Sequence, residues 1–100
     1  MPFSQHRWPL TSSLVADAPD EPGVFAVWEN DELVYIGHAK RRTGLRAALT
    51  EHLQDRVPCT REATHYAWRI SLNPEKTERD VLADYYRERG MLPRCNRLEA

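Results

Sequence analysis

Long apolar runs are absent from this 100-residue sequence. No stretch approaches the roughly 18 residues that cross a bilayer as a helix, so no membrane partner is expected. The start, Met1 to Leu10, is polar and broken by proline. It lacks the positive first region and continuous apolar stretch of a secretion signal, and a cytoplasmic location is the expectation. Cysteine is scarce, with only Cys59 and Cys95. Two cysteines give no disulfide framework and suit a reducing compartment. Neither they nor His52 and His65 form a C-x-x-C or H-x₃-H pair, which argues against zinc. Both cysteines are expected to act as small buried hydrophobes. A phosphate-cradling glycine loop and a serine nucleophile elbow are also missing.

What remains is the composition of one small globular domain. Hydrophobic residues make up 41% and charged residues 29%, which excludes disorder by composition. The net charge of −1 is unevenly spread. Residues 1–36 carry one basic side chain, Arg7, and six acidic ones, while residues 37–100 carry thirteen basic and nine acidic ones. The basic portion attracts phosphate, but the excess is small, and an ordinary solvated surface explains it equally well.

Residues 1–22 show no clear periodicity and hold Pro2, Pro9, Pro19 and Pro22. Thr11-Ser12-Ser13 before Leu14-Val15 reads as the start of one helical turn. The acidic stretch Asp17 to Glu21 reads as a linker. Gly23 to Glu29 and Leu33 to Gly37 are β-branched, aromatic and almost continuously apolar. With Asn30-Asp31 between them they predict a hairpin, at least one strand of which is covered on both faces. Leu45, Leu49 and Leu53, with Ala48, mark an amphipathic helix. A loop from Asp55 to Arg61 leads to a third strand at His65 to Ile70, where apolar and polar residues alternate. Asn73 as cap and Pro74 at the first position open a last helix, which Gly90 ends. Met91 to Asn96 reads as a tail. The order β-β-α-β-α predicts an α/β (α+β) domain: a three-stranded, mainly antiparallel sheet flanked by helices. Its expected span is 23–96, with 1–22 as an N-terminal extension and 97–100 as a C-terminal tail.

Gly23-Val24-Phe25 and Tyr35-Ile36-Gly37 lie on the two hairpin strands. Downstream come a helix with His52, a helix with Glu78 followed by Val81-Leu82, and Pro93-Arg94-Cys95-Asn96. This ordered set, from about Pro22 to Asn96, resembles the GIY-YIG nuclease family. The YIG tripeptide matches fully and the first tripeptide nearly so.

The resemblance implies hydrolysis of DNA phosphodiesters, on branched or damaged DNA among other substrates, with one Mg²⁺ or Mn²⁺ ion. It places the metal on Glu78, since one carboxylate can hold a hard ion whose shell water and phosphate oxygens complete. It places Tyr35 beside the attacking water, a role open to a phenol whose pKa nearby cations lower. His38, directly after YIG, reads either as a proton acceptor or phosphate contact or as an exposed loop histidine. The family motif sets His52 beside the site, where the other reading is a half-buried helix residue, and an arginine on that helix to clamp phosphate. Two positions depart from the pattern. Phe25 lacks the hydroxyl of the first tyrosine, and Ala48 stands where the arginine is expected. Arg46 lies about 200° around the helix from Ala48. Lys40, Arg41 and Arg42, before the helix, are the other candidates for phosphate. Asn96 is a candidate substrate contact, or ties the tail to the YIG strand, or only caps a turn.

Without the resemblance, Glu78 reads as part of a charged helix surface with Lys76 and Arg79, and Tyr35 as a packed strand aromatic. Trp8, Trp28 and Trp68 read as core aromatics before base-stacking platforms. The chain carries no helix-turn-helix or zinc finger. Low specificity, shape reading, or a protein partner or oligomer is therefore expected. The runner-up function is a catalytically weakened module that binds nucleic acid or protein.

Overall fold

A computed structural model describes residues 7–54 and 57–99. Asp55 and Arg56, which open the expected loop around Pro58, lie outside the described residues. So do residues 1–6 and Ala100.

The chain forms β1 (Trp8–Pro9), α1 (Ser12–Ala16), β2 (Gly23–Glu29), β3 (Glu32–Ala39) and α2 (Gly44–Leu53). A short 3₁₀ turn (Pro58–Thr60), β4 (His65–Ile70), α3 (Pro74–Arg89) and α4 (Arg94–Glu99) follow. The strands make one antiparallel sheet in the order β1-β4-β2-β3. The sheet therefore has four strands and not the three expected. The added strand is two residues long and contains Pro9, too short to show a period of two. It pairs with the outer side of β4, where a proline without an N–H is tolerated.

The hairpin turns at Asn30-Asp31, with Glu29 opposite Glu32. Asn30 takes the left-handed conformation (φ 57°) that this two-residue connection uses. β2 is central and buried along nearly its whole length, which explains its unbroken apolar run. Its odd-numbered residues Phe25 and Val27 join Val15, Ala18, Leu45, Leu49 and Tyr66 on the α1–α2 face. Its even-numbered Val24, Ala26 and Trp28 join Ile36, Ala67 and Val81 on the α3 face. Each large side chain so buried stabilises the fold by roughly 1.5–3 kcal/mol. Val15 and Ala18, from the segment read as an extension, sit in the first of these cores.

α3 begins at Asn73-Pro74 as expected, although the Asn73 side chain makes no capping hydrogen bond. It ends at Gly90, whose φ of 79° is one that a Cβ would strain. The expected tail is instead helix α4, packed against β3.

Asn96 carries that contact. Its Oδ1 accepts the Ile36 N–H and its Nδ2 donates to the Ile36 carbonyl, both at 2.9 Å. Ile36 lies opposite Ala26 on β3, the outer strand, so the amide takes the place of a missing strand at one residue. Both groups are buried, and leaving them unpaired costs more than a surface hydrogen bond is worth. Asn96→Ala is expected to lower unfolding free energy by about 2–4 kcal/mol in urea denaturation. A change below about 0.5 kcal/mol would mean that water replaces the amide at no cost.

Candidate functional site

The candidate residues gather on and around β3. Strand pleating sends neighbours to opposite faces, and the register decides which. Tyr35, opposite Val27, and Gly37, opposite Phe25, face α1 and α2. Ile36, opposite Ala26, and His38, opposite Val24, face α3. Tyr35 and His38 thus serve different sides of the sheet.

On the α2 side, Phe25, Tyr35 and His52 form an aromatic triangle. Ring centroids lie 6.0 Å apart for Phe25–Tyr35, 5.3 Å for Phe25–His52 and 5.4 Å for Tyr35–His52. Gly37 makes room for it, since a Cβ there would stand 2.7 Å from Tyr35 Cε2 and 2.8 Å from Phe25 Cζ. Gly23 likewise has no room for a Cβ, which would strike the Arg69 carbonyl. The two motif glycines are therefore packing requirements of the hairpin.

His52 is 5% exposed, and its Nδ1 lies 2.7 Å from Thr60 Oγ1. The Thr60 hydroxyl also reaches the Val57 carbonyl at 3.2 Å. Thr60 has one proton, so the consistent arrangement has Nδ1–H donating to Oγ1 and the hydroxyl donating to Val57. Burial lowers the His52 pKa from 6.5 to about 4. The ring is neutral at neutral pH and buried among aromatics. Of the two readings of His52, burial in the helix is the one the structure is nearer to: the ring packs against Phe25 and Tyr35.

The folded state takes up the His52 proton only near pH 4, whereas the unfolded chain does so from about 6.5. Stability is therefore fully present above that range and lost as pH falls through it. The expected loss is about 1.4 kcal/mol per pH unit between about pH 6 and 4.5 in urea melts. His52→Phe should remove this slope. Equal slopes in both proteins would assign the pH dependence to other groups.

On the α3 side, His38 Nδ1 meets Glu78 Oε2 at 2.6 Å. The two side chains are 25% and 19% exposed, so the pair is half-buried and open to solvent. Glu78 Oε1 has no other hydrogen bond among the described residues. One turn earlier on α3, Glu75 lies 3.8 Å from Lys40, both well exposed. Such a surface pair contributes little to stability. Arg41 and Arg42 follow in the exposed turn before α2 and make no hydrogen bond or ion pair among the described residues.

Two expected site residues are engaged elsewhere. Arg46 Nε donates to the Ala18 carbonyl at 2.9 Å, which ties α2 to the segment after α1. This contact turns Arg46 toward Ala18, in keeping with its place about 200° around the helix from Ala48. Asn96 gives both amide atoms to Ile36, which is the tie between the tail and the YIG strand that its position in the sequence allowed.

The cysteines are the other correction. Cys59 and Cys95 form a disulfide, with Cα atoms 5.7 Å apart and 36 residues of separation. Their neighbours are Thr60, which holds His52, and Asn96, which holds Ile36. The bridge fastens both supports of the Tyr35 strand to each other. Two cysteines without a short spacing carry no sequence signal of this pairing. The His38–Glu78 pair, 40 residues apart, is equally silent in sequence.

No cluster of three or more His, Cys, Asp or Glu side chains suited to a metal occurs among the described residues. A single carboxylate oxygen at Glu78 fits only a hard divalent ion that keeps most of its shell as water and phosphate oxygen. No helix among the described residues is long and apolar enough to cross a membrane.

No curated protein and no solved structure matches the chain. A family described as a domain of unknown function, DUF7508, matches residues 1–89 and so includes β1 to α3. On the extent of that match, the chain belongs to the DUF7508 family.

Proposed function

We propose that this domain is a metal-dependent endonuclease that hydrolyses phosphodiester bonds in DNA from the His38–Glu78 end of β3. The observation that carries the reading is the 2.6 Å His38–Glu78 pair, with the exposed Arg41 and Arg42, which make no ion pair among the described residues, three and four positions after His38 in the chain. It adds to the resemblance of the tripeptides, Glu78 and Asn96 to GIY-YIG nucleases.

Each residue has a chemical task in this reading. Glu78 Oε2 fixes the His38 ring through Nδ1, which leaves Nε2 as the atom that takes a proton from water. Glu78 Oε1 would hold one Mg²⁺ or Mn²⁺, which when bound neutralises phosphate charge and acidifies water. Arg41 and Arg42 offer forked donors to phosphate oxygens. Tyr35 stands across the strand from this pair, its ring set by His52 and Phe25.

A second reading rests on specific observations. Phe25 has no hydroxyl, Ala48 replaces an arginine, and Arg46 is committed to Ala18. A module that binds DNA without cutting it follows from those losses. Supercoiled plasmid and branched DNA, incubated with Mg²⁺, Mn²⁺ or EDTA, separate the two. Divalent-dependent nicking supports the endonuclease. Retarded but uncut DNA moves the assignment to binding, and neither result in any condition overturns both.

A further inference from the structure

We propose that a recess between α1 and the β1–β4 end of the sheet binds a trimethylammonium group, with aromatic rings as its walls and Asp17 as counter-charge. The recess has a volume of about 180 Å³ and is lined by Trp8, Leu14, Asp17, Ala18, Tyr66 and Trp68. It lies at the edge of the sheet opposite to β3, so it stands apart from the nuclease reading.

The strand register builds it. Trp8 pairs with Tyr66 across β1 and β4, and Trp68 is two residues further along β4. Residues opposite each other and two apart share a face, so the three aromatic side chains gather on the α1 side. Tyr66 is 2% exposed and forms the floor, while Trp8 is 39% exposed and borders solvent. Leu14 and Ala18, from α1 and the turn after it, supply apolar wall.

Asp17 sets the sign of the ligand. It is the C-cap of α1, lies exposed at the recess, and makes no ion pair among the described residues. The nearby Arg46 directs its Nε to the Ala18 carbonyl. The Tyr66 hydroxyl is held above the usual phenol range by burial and by the Asp17 carboxylate, so the field of that carboxylate reaches into the recess. A cation in the recess gains from that carboxylate.

The lining also selects among cations. An ammonium with several N–H donors needs several acceptors, and the recess offers one carboxylate among rings and hydrocarbon. A fully methylated ammonium has no N–H to satisfy and presents its charge to ring faces. The volume is below the roughly 300 Å³ at which pockets for whole drug-sized ligands begin, which fits a compact headgroup.

The test is an NMR titration of the full chain with choline chloride at constant ionic strength, following the Trp8 and Trp68 indole N–H signals. Both signals should shift saturably. Asp17→Asn and Trp8→Leu should each weaken binding about five- to tenfold. The uncharged isostere 3,3-dimethyl-1-butanol should bind at least about fivefold more weakly than choline. Free Nε-trimethyllysine provides a second arm. Tighter binding than choline assigns the group to a methylated side chain, and weaker binding to a choline-type head. Equal affinity for the isostere, an unaffected Asp17→Asn variant, or no saturable shift with choline would each overturn the proposal. Trp8 lies on a two-residue outer strand, so its variant should fold, and Asp17→Asn decides the matter independently if it does not.

Discussion

Glu78→Gln is expected to reduce divalent-dependent DNA nicking by at least about 100-fold. Glutamine keeps the shape of the side chain and removes its charge. Two functions are lost together: the hard anionic oxygen that suits Mg²⁺, and the carboxylate that fixes the His38 ring at 2.6 Å. His38→Asn, which removes only the proton acceptor, should lose about 10- to 100-fold. The pair is part-buried, with side chains 25% and 19% exposed, so either change is expected to cost about 1–2 kcal/mol of stability. Thermal melts check that premise before rates are compared. Tyr35→Phe keeps the ring packed against Phe25 and His52 and tests the hydroxyl alone. A loss as large as that of Glu78→Gln would put the phenol at the reacting water. An unchanged rate would leave proton uptake to His38. Wild-type rates in Glu78→Gln would remove the carboxylate from the reaction altogether.

Reduction of the Cys59–Cys95 bridge should have the largest effect on the fold. Its closed loop spans a sequence separation of 36 residues. Chain-entropy reasoning for a loop of that length gives about 4 kcal/mol of stabilisation. A domain of this size has only about 5–15 kcal/mol in total. Melting with dithiothreitol, or of Cys59→Ser, should therefore occur about 15–30 °C lower. The loss should also be local. Cys95 precedes Asn96, and Cys59 precedes Thr60, so the Ile36 amide and the His52 ring should lose restraint first. Hydrogen exchange at Ile36 is the sensitive measurement. An unchanged melt under reduction, with thiol titration proving the bridge open, would make the bridge an ornament of a self-sufficient core.

Local signals made some elements legible in sequence. The hairpin announced itself through two apolar strands around Asn30-Asp31, α2 through its leucine stripe, and α3 through Pro74 and Gly90. Each of these is set within a few residues of chain. What was not legible depends on distant partners. β1 is two residues long and exists only because β4 offers an edge. α4 is short, without a stripe of its own, and held by Asn96 on a residue 60 positions earlier. The site divides in the same way. Residue types at motif positions pointed to His38, Tyr35 and Glu78. Nothing local showed that Glu78 pairs with His38, that Arg46 turns to Ala18, or that His52 is sealed in the core. Arg46 illustrates the limit well, because helical geometry gives its direction from the axis but not the carbonyl that waits there.

β3 is an outer strand, and an outer strand offers its free backbone groups to any other chain that can align with them. Asn96 takes the pair at Ile36, in the middle of that row, and α4 lies against the same strand. The last short helix thus acts as a guard against self-association. A chain cut before Arg94 would present to its copies an apolar strand ready to be extended, and its failure would appear as precipitate or fibre before it appeared as lost structure.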